Sequence, residues 1–148
     1  MKILFDTCVV VDILGKSKFF KDAFVAYDIA LFKKMDVCIS ASSTTDIVYL
    51  LHSRGFMSNA KARSVIGALL DEFEIIDNTA TDVERAYKSE MKDYEDALIA
   101  YAAQRTGVDF IITRNAKDFA ASPVPAISPE KFIEIYKPSC LTYEDIEF

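Results

Sequence analysis

Short apolar runs, each separated from the next by a longer stretch of helical period, constrain this chain more than any other feature. Ile3-Leu4-Phe5 is the first, Val37-Cys38-Ile39-Ser40 the second, Phe73 to Ile76 the third and Asp109 to Thr113 the fourth, with a short extended piece near Pro123 and Pro125 ending at Ile127. Between them, apolar residues recur three and four positions apart, as in Phe20, Phe24, Tyr27, Ala30 and Leu31. Buried strands alternating with helices specify an α/β fold whose sheet is parallel and covered on both faces. Four or five parallel strands are expected.

Punctuation supports the same division. Ser17 reads as a cap for the second helix, and Ser58-Asn59 as the start of another. A short helix is expected from Thr81 or Asp82, a longer one from Asp93 to Thr106 stopped by Gly107, and a last one from Ser128-Pro129-Glu130. From Lys137 to Phe148 periodicity fades, which predicts a domain over 1–136 and a tail over 137–148, flexible or docked on a partner.

The chain has 148 residues, 51% of them hydrophobic, enough for one domain with one sizeable core. A formal net charge of -6 argues against broad non-specific binding to nucleic acid, but carboxylates gathered around divalent ions also count as negative. Cys8, Cys38 and Cys140 are odd in number and lack metal-site spacing, so a reducing compartment fits best. The apolar stretch after Lys2 is broken at Asp6 and Asp12, unlike a signal peptide, and no run is long enough for a membrane span. A soluble, cytoplasmic protein without a membrane partner is expected. The one histidine, His52, is placed on a helix surface, which leaves out mechanisms needing a histidine pair.

In a parallel sheet every strand ends on the same edge, where α/β folds place their ligands. Asp6 follows the first strand and Asp118 lies just past the fourth. Asp46 stands in the first turns of the helix after the second strand, and Asp93 and Asp96 open the helix that leads into the fourth. All five therefore face one edge. Carboxylates gathered without cations repel one another, and oxygen-only ligands favour Mg2+ or Mn2+. Such ions activate water and neutralise charge on a phosphate, so phosphodiester hydrolysis is the inferred chemistry. Thr113 and Asn115 can orient a water or a carboxylate, and Arg114 and Lys117 can meet a substrate backbone.

Singly, each residue has an ordinary reading. Asp6 can end a strand, Asp93 can cap a helix with Asp96 at its third position, and Asn115 can fill a turn. Asp12 reads as a surface residue of the first helix. Cys8 and Cys38 read as small core residues, and Tyr49, Tyr94 and Tyr101 as core aromatics rather than stacking platforms. The weight lies in their shared edge.

The order LFDTCVVVD, ISASSTTDIVYLL, DYEDALIAYAAQRTGVDFIITRNAKDF and SPEKFIEIY resembles the VapC-like group of PIN-domain ribonucleases over Met1 to Tyr136. The resemblance implies a three-layer α/β/α sandwich and a Mg2+- or Mn2+-dependent nuclease acting on RNA. By position, the family's acids fall on Asp6, with Thr7 beside it, on Asp46, on Asp96 with Asp93 as a nearby extra, and on Asp118. Asp46 stands where most relatives have glutamate, and Asn115 where many have aspartate. Members are usually toxins neutralised by a small antitoxin, and they commonly form homodimers. Three other readings compete. A phospho-acceptor receiver domain would need a second acid beside Asp6. A haloacid-dehalogenase-type phosphatase would need an aspartate where Cys8 stands. A PIN-fold module that binds RNA or protein without catalysis is the third.

Overall fold

The computed structural model describes residues 1–144. Five parallel strands form one sheet in the order β3-β2-β1-β4-β5: β1 (Lys2–Phe5), β2 (Asp36–Ser40), β3 (Glu74–Ile76), β4 (Phe110–Ile112) and β5 (Ala126–Ile127). β1 is central because its apolar run is buried on both faces, with Ile3, Leu4 and Phe5 all at 0% exposure. Successive side chains of a strand point to opposite faces. Ile3 and Phe5 accordingly join one core, and Leu4 joins the other.

The helices are α1 (Thr7–Gly15), α2 (Phe20–Phe32), α3 (Ala41–Ser53), α4 (Asn59–Glu72), α5 (Ala80–Lys88), α6 (Tyr94–Arg105) and α7 (Pro129–Tyr136), with a 3-10 turn at Ala116–Phe119. From β1 the chain moves outward through β2 to β3, then crosses back to β4 on the other side of β1. Parallel crossovers are right-handed, so reversing direction moves the helices to the other face. The cores follow this rule. Residues of α1 to α4 and α7 pack with Ile3 and Phe5, whereas residues of α5 and α6 pack with Leu4. The expected three-layer α/β/α sandwich is the observed fold.

Local signals account for most boundaries. Ser58 accepts a hydrogen bond from Lys61 N at the start of α4, and Ser128 accepts one from Lys131 N, with Pro129 opening α7. Two expected starts are displaced. α5 begins at Ala80 rather than Thr81 or Asp82, because Thr79 and Asp82 form a reciprocal capping box in which Asp82 is the third helical residue. Ser17 does not cap α2, which Phe19 precedes. Its hydroxyl instead donates to Asp12 Oδ1 at 2.6 Å and accepts from Phe19 N at 3.1 Å, tying the turn between α1 and α2.

Of the tail, residues 137–144 lie back on the chain's own body. Leu141 packs against the core, and the buried Tyr143 donates from its hydroxyl to Asp28 Oδ2 at 2.6 Å. Residues 145–148, the last part of the expected tail, lie outside the described residues. Among the described residues, no helix is long and apolar enough to cross a membrane.

One polar link ties down the end of α6. Asp82, fully buried, accepts from Arg105 at 2.9 to 3.1 Å, and the same guanidinium reaches the Asp77 carbonyl at 2.7 Å. It joins α5, α6 and the end of β3. Arg105→Ala leaves a buried carboxylate without its cation and is predicted to cost about 2–3 kcal/mol. Urea denaturation measures this, and a midpoint equal to that of the parent chain would show that the link contributes nothing.

Candidate active site at the carboxyl edge

Asp6 is the residue on which the edge is built. It ends β1, is only 4% exposed and caps α1, with Oδ1 accepting from Thr7 N at 2.7 Å. Its Oδ2 accepts from Thr113 Oγ1 at 2.7 Å and from Cys8 Sγ at 3.2 Å. Thr113, fully buried at the end of β4, is placed there because β4 pairs directly with β1. Burial raises the Asp6 carboxyl above its ordinary value, while the bonds from Thr113, Cys8 and Thr7 and the charge of Arg114 pull it down. Burial, reinforced by the Asp6 charge, pushes the Cys8 thiol up to about 12. Cys8 therefore stays a thiol and serves as a donor. It is half-buried beside the site rather than the simple core residue expected, whereas Cys38 is a core residue.

The other acids reach this point through the helices that start on the same edge. Asp93 caps α6, accepting from Asp96 N at 3.0 Å. This leaves Asp96 in the first turn, where burial and then the charges of Asp6, Asp93, Glu95 and Asp118 push its carboxyl up to about 7. Glu95 behaves alike, raised to about 7 by burial and then by Asp46, Asp6 and Asp93, with a hydrogen bond to the Asp46 side chain. Asp6, Asp93, Glu95 and Asp118 thus all act on Asp96, and Asp46 enters through Glu95.

Asn115 follows, its backbone N donating to Thr113 Oγ1 at 3.1 Å, and Lys117 is exposed on the 3-10 turn beside Asp118. Thr7 is buried next to Asp6, and its hydroxyl has no hydrogen-bond partner among the described residues. Arg114 turns away from the acids. Its Nε lies 2.6 Å from Asp12 Oδ2, a close ion contact without hydrogen-bond alignment, and its guanidinium carbon sits 4.3 Å from the Phe19 ring centre.

Asp12 is therefore not a surface residue of α1. It is 1% exposed, and it is tolerated there because Arg114 and Ser17 satisfy it. The reading of Tyr49 and Tyr94 as core is also corrected. Both are exposed, at 67% and 51%: Tyr49 falls on the face of α3 away from the buried Ile47 and Leu51, and Tyr94 is the first residue of α6, while Tyr101 packs against the core. His52 is exposed on α3 as expected. Glu95 was not legible as a site residue, because acids in a first helical turn read as ordinary partners of the helix dipole.

The donor set suits a hard divalent cation: the groups are carboxylate oxygens, two of them raised by mutual repulsion that a cation would relieve. Among the described residues, no three histidine, cysteine, aspartate or glutamate groups form a ready-made metal site.

The PIN domain family matches residues 2–117. The chain belongs to the PIN domain family. None of the curated proteins matches it in sequence. Among solved structures, the PIN chain is similar to a chain of VapBC2 from Rickettsia felis bound to a DNA fragment from its promoter, at 20% identity and TM-score 0.64, covering 86% of this chain and 98% of that one. It is similar to a chain of a toxin-antitoxin complex from Klebsiella pneumoniae at 26% identity and TM-score 0.61, covering 86% and 97%. VapC20 from Mycobacterium tuberculosis, a toxin that cleaves the sarcin-ricin loop, is 17% identical at TM-score 0.60, with 83% and 98% covered. The VapC-like resemblance read from the sequence and these neighbours agree on the PIN fold.

The raised carboxyls in this PIN domain have a consequence for stability. Folding lifts Glu95 from 4.5, and Asp96 from 3.8, to about 7. The folded state then holds more protons than the unfolded state between those values, so stability present at low pH is lost as pH rises toward 7. Without divalent metal, the protein is predicted to melt at a lower temperature at pH 8 than at pH 5.5. Asp96→Asn should recover about 1 kcal/mol at pH 8. Scanning calorimetry in chelator at both pH values checks this, and a parent chain more stable at pH 8 would contradict it.

Proposed function

We propose that this PIN domain is a Mg2+- or Mn2+-dependent endoribonuclease that hydrolyses RNA phosphodiester bonds in the cytoplasm as the toxin of a toxin-antitoxin pair. The observation that carries the reading is the convergence of Asp6, Asp93, Glu95, Asp96 and Asp118, two of them pushed up to about 7 by burial and by one another. Unpaired acids raised in this way are costly unless they do chemistry. Toxin-antitoxin complexes among the structural neighbours support an antitoxin partner. The homodimer rests on the VapC-like resemblance alone.

Asp6 and Asp96, with Asp46 and Asp118, would hold the cation, with Asp93 and Glu95 adding negative charge close by. A bound divalent ion supplies a more acidic water and neutralises charge on the phosphate. Thr113 and Cys8 keep Asp6 Oδ2 in a single orientation. Asn115 is tied to the same edge through its backbone N–H, which donates to Thr113 Oγ1. Asp46, a residue with a short side chain, takes its place through Glu95 rather than alone.

A second reading, a PIN-fold module that binds RNA or protein without catalysis, draws on the lack of a ready-made metal site among the described residues. Purified protein incubated with RNA and Mn2+ separates the two. Cleavage should be abolished by chelator and fall about a hundredfold or more in Asp6→Asn and in Asp96→Asn. Equal cleavage by the parent and both variants would place the activity in a contaminant. RNA binding without cleavage at millimolar Mn2+ would favour the binding module.

A further inference from the structure

An edge crowded with carboxylates repels a polyanion, so a PIN nuclease with this edge needs cations close by to hold its substrate. Arg114 follows Thr113 in the chain, but Asp12 and Phe19 occupy its guanidinium. The cations lie one contact further on. The turn between α1 and α2 reads Lys16-Ser17-Lys18-Phe19-Phe20-Lys21, three lysines in six residues of a chain with net charge -6. All three are exposed, and among the described residues neither Lys16 nor Lys18 has a carboxylate within ion-pair distance. With Ser17 and Phe20, they line a hollow of about 370 Å³.

This turn is built rather than loose. Lys16 adopts the left-handed conformation, at φ 48°, that ends α1. Ser17 N donates to the Asp12 carbonyl at 3.2 Å, and its hydroxyl donates to the Asp12 carboxylate. Phe19 lies under Arg114, with Lys18 Nζ 5.0 Å from the same ring centre. A continuous path of contacts therefore runs from Asp6 through Thr113 and Arg114 to Phe19 and its flanking lysines. Each of the two ammoniums lies near a phenyl ring, Lys16 Nζ at 5.9 Å from the Phe20 ring centre and Lys18 Nζ at 5.0 Å from that of Phe19.

We propose that the turn from Lys16 to Lys21 is a phosphate-binding strip that holds the RNA backbone beside the acidic edge, with Arg114 as the positioning residue that fixes it there. The proposal rests on the nuclease reading for its ligand. Lysine ammoniums act as point charges on phosphates and carry no base preference, so the strip contributes affinity and register rather than sequence choice.

The test is equilibrium binding of a fluorescein-labelled single-stranded RNA to the full chain, followed by anisotropy in chelator over a range of salt. Lys16→Ala/Lys18→Ala should lower the slope of log affinity against log salt by about 1.4 and weaken binding about tenfold near 0.15 M salt. The charge-matched Lys33→Ala/Lys34→Ala, at the far end of α2, should leave both values unchanged. Equal losses in the two pairs would show bulk charge at work and overturn the strip, as would an unchanged Lys16→Ala/Lys18→Ala protein. Circular dichroism melting confirms that each variant is folded. Cleavage is assayed separately on the parent chain, so RNA held by the strip but left uncut with Mn2+ would overturn the nuclease reading alone.

Discussion

The hydrogen bond from Thr113 to Asp6 is the contact on which the rest of the edge depends. It joins the ends of two neighbouring strands that are far apart in sequence, and it does so in a buried place where an unpaired carboxylate would be costly. Everything that gathers at the edge is referred to that bond. Asn115 hangs from Thr113, Cys8 shares the same carboxylate oxygen, and Asp96 responds to the Asp6 charge from α6. The sheet order makes the bond possible, because β1 lies between β2 and β4 at the point where the chain reverses direction.

Much of this could be read in the residues. A buried run stopping at Asp6 and another stopping at Thr113 identify strand ends, and a parallel sheet puts those ends together. The parallel α/β sheet and the position of α6 follow from periodicity and from an N-cap at Asp93, and the PIN fold from the resemblance that the motifs carry. The environment of single residues was less legible. Asp12 looks like any polar residue on an amphipathic helix until Arg114, distant in sequence, is seen to lie against it. Tyr49 lies across α3 from the buried Ile47 and Leu51, and Tyr94 opens α6 in an exposed first turn, differences that composition does not carry. Glu95 needed the tilt of α6 against α3 to become a neighbour of Asp46.

Stability and chemistry pull in opposite directions at this edge. Asp82 and Asp12 are buried acids that found arginines, and both serve the fold. Asp96 and Glu95 are acids whose neighbours are acids, and their presence weakens the metal-free fold above mildly acidic pH. A chain selected only for stability would place a basic residue or a neutral isostere there. The contrast between the two kinds of acid, within one small domain, separates carboxylates paired with arginine from carboxylates whose neighbours are acids.

Net charge hides the same separation. The tally of -6 sums an acidic edge with a basic turn, and the sum describes neither. The arrangement differs from the tally: a buried Asp6 with the exposed Asp93, Glu95 and Asp118 near it, and exposed ammoniums on the turn that Arg114 and Ser17 hold against α1. The Asp12 carboxylate takes up the Arg114 charge, and among the described residues Lys16 and Lys18 beside it have no carboxylate within ion-pair distance. An interior ion pair thereby decides which surface charges are left for a substrate, and a substitution at Asp12 would alter the fold and the binding face together.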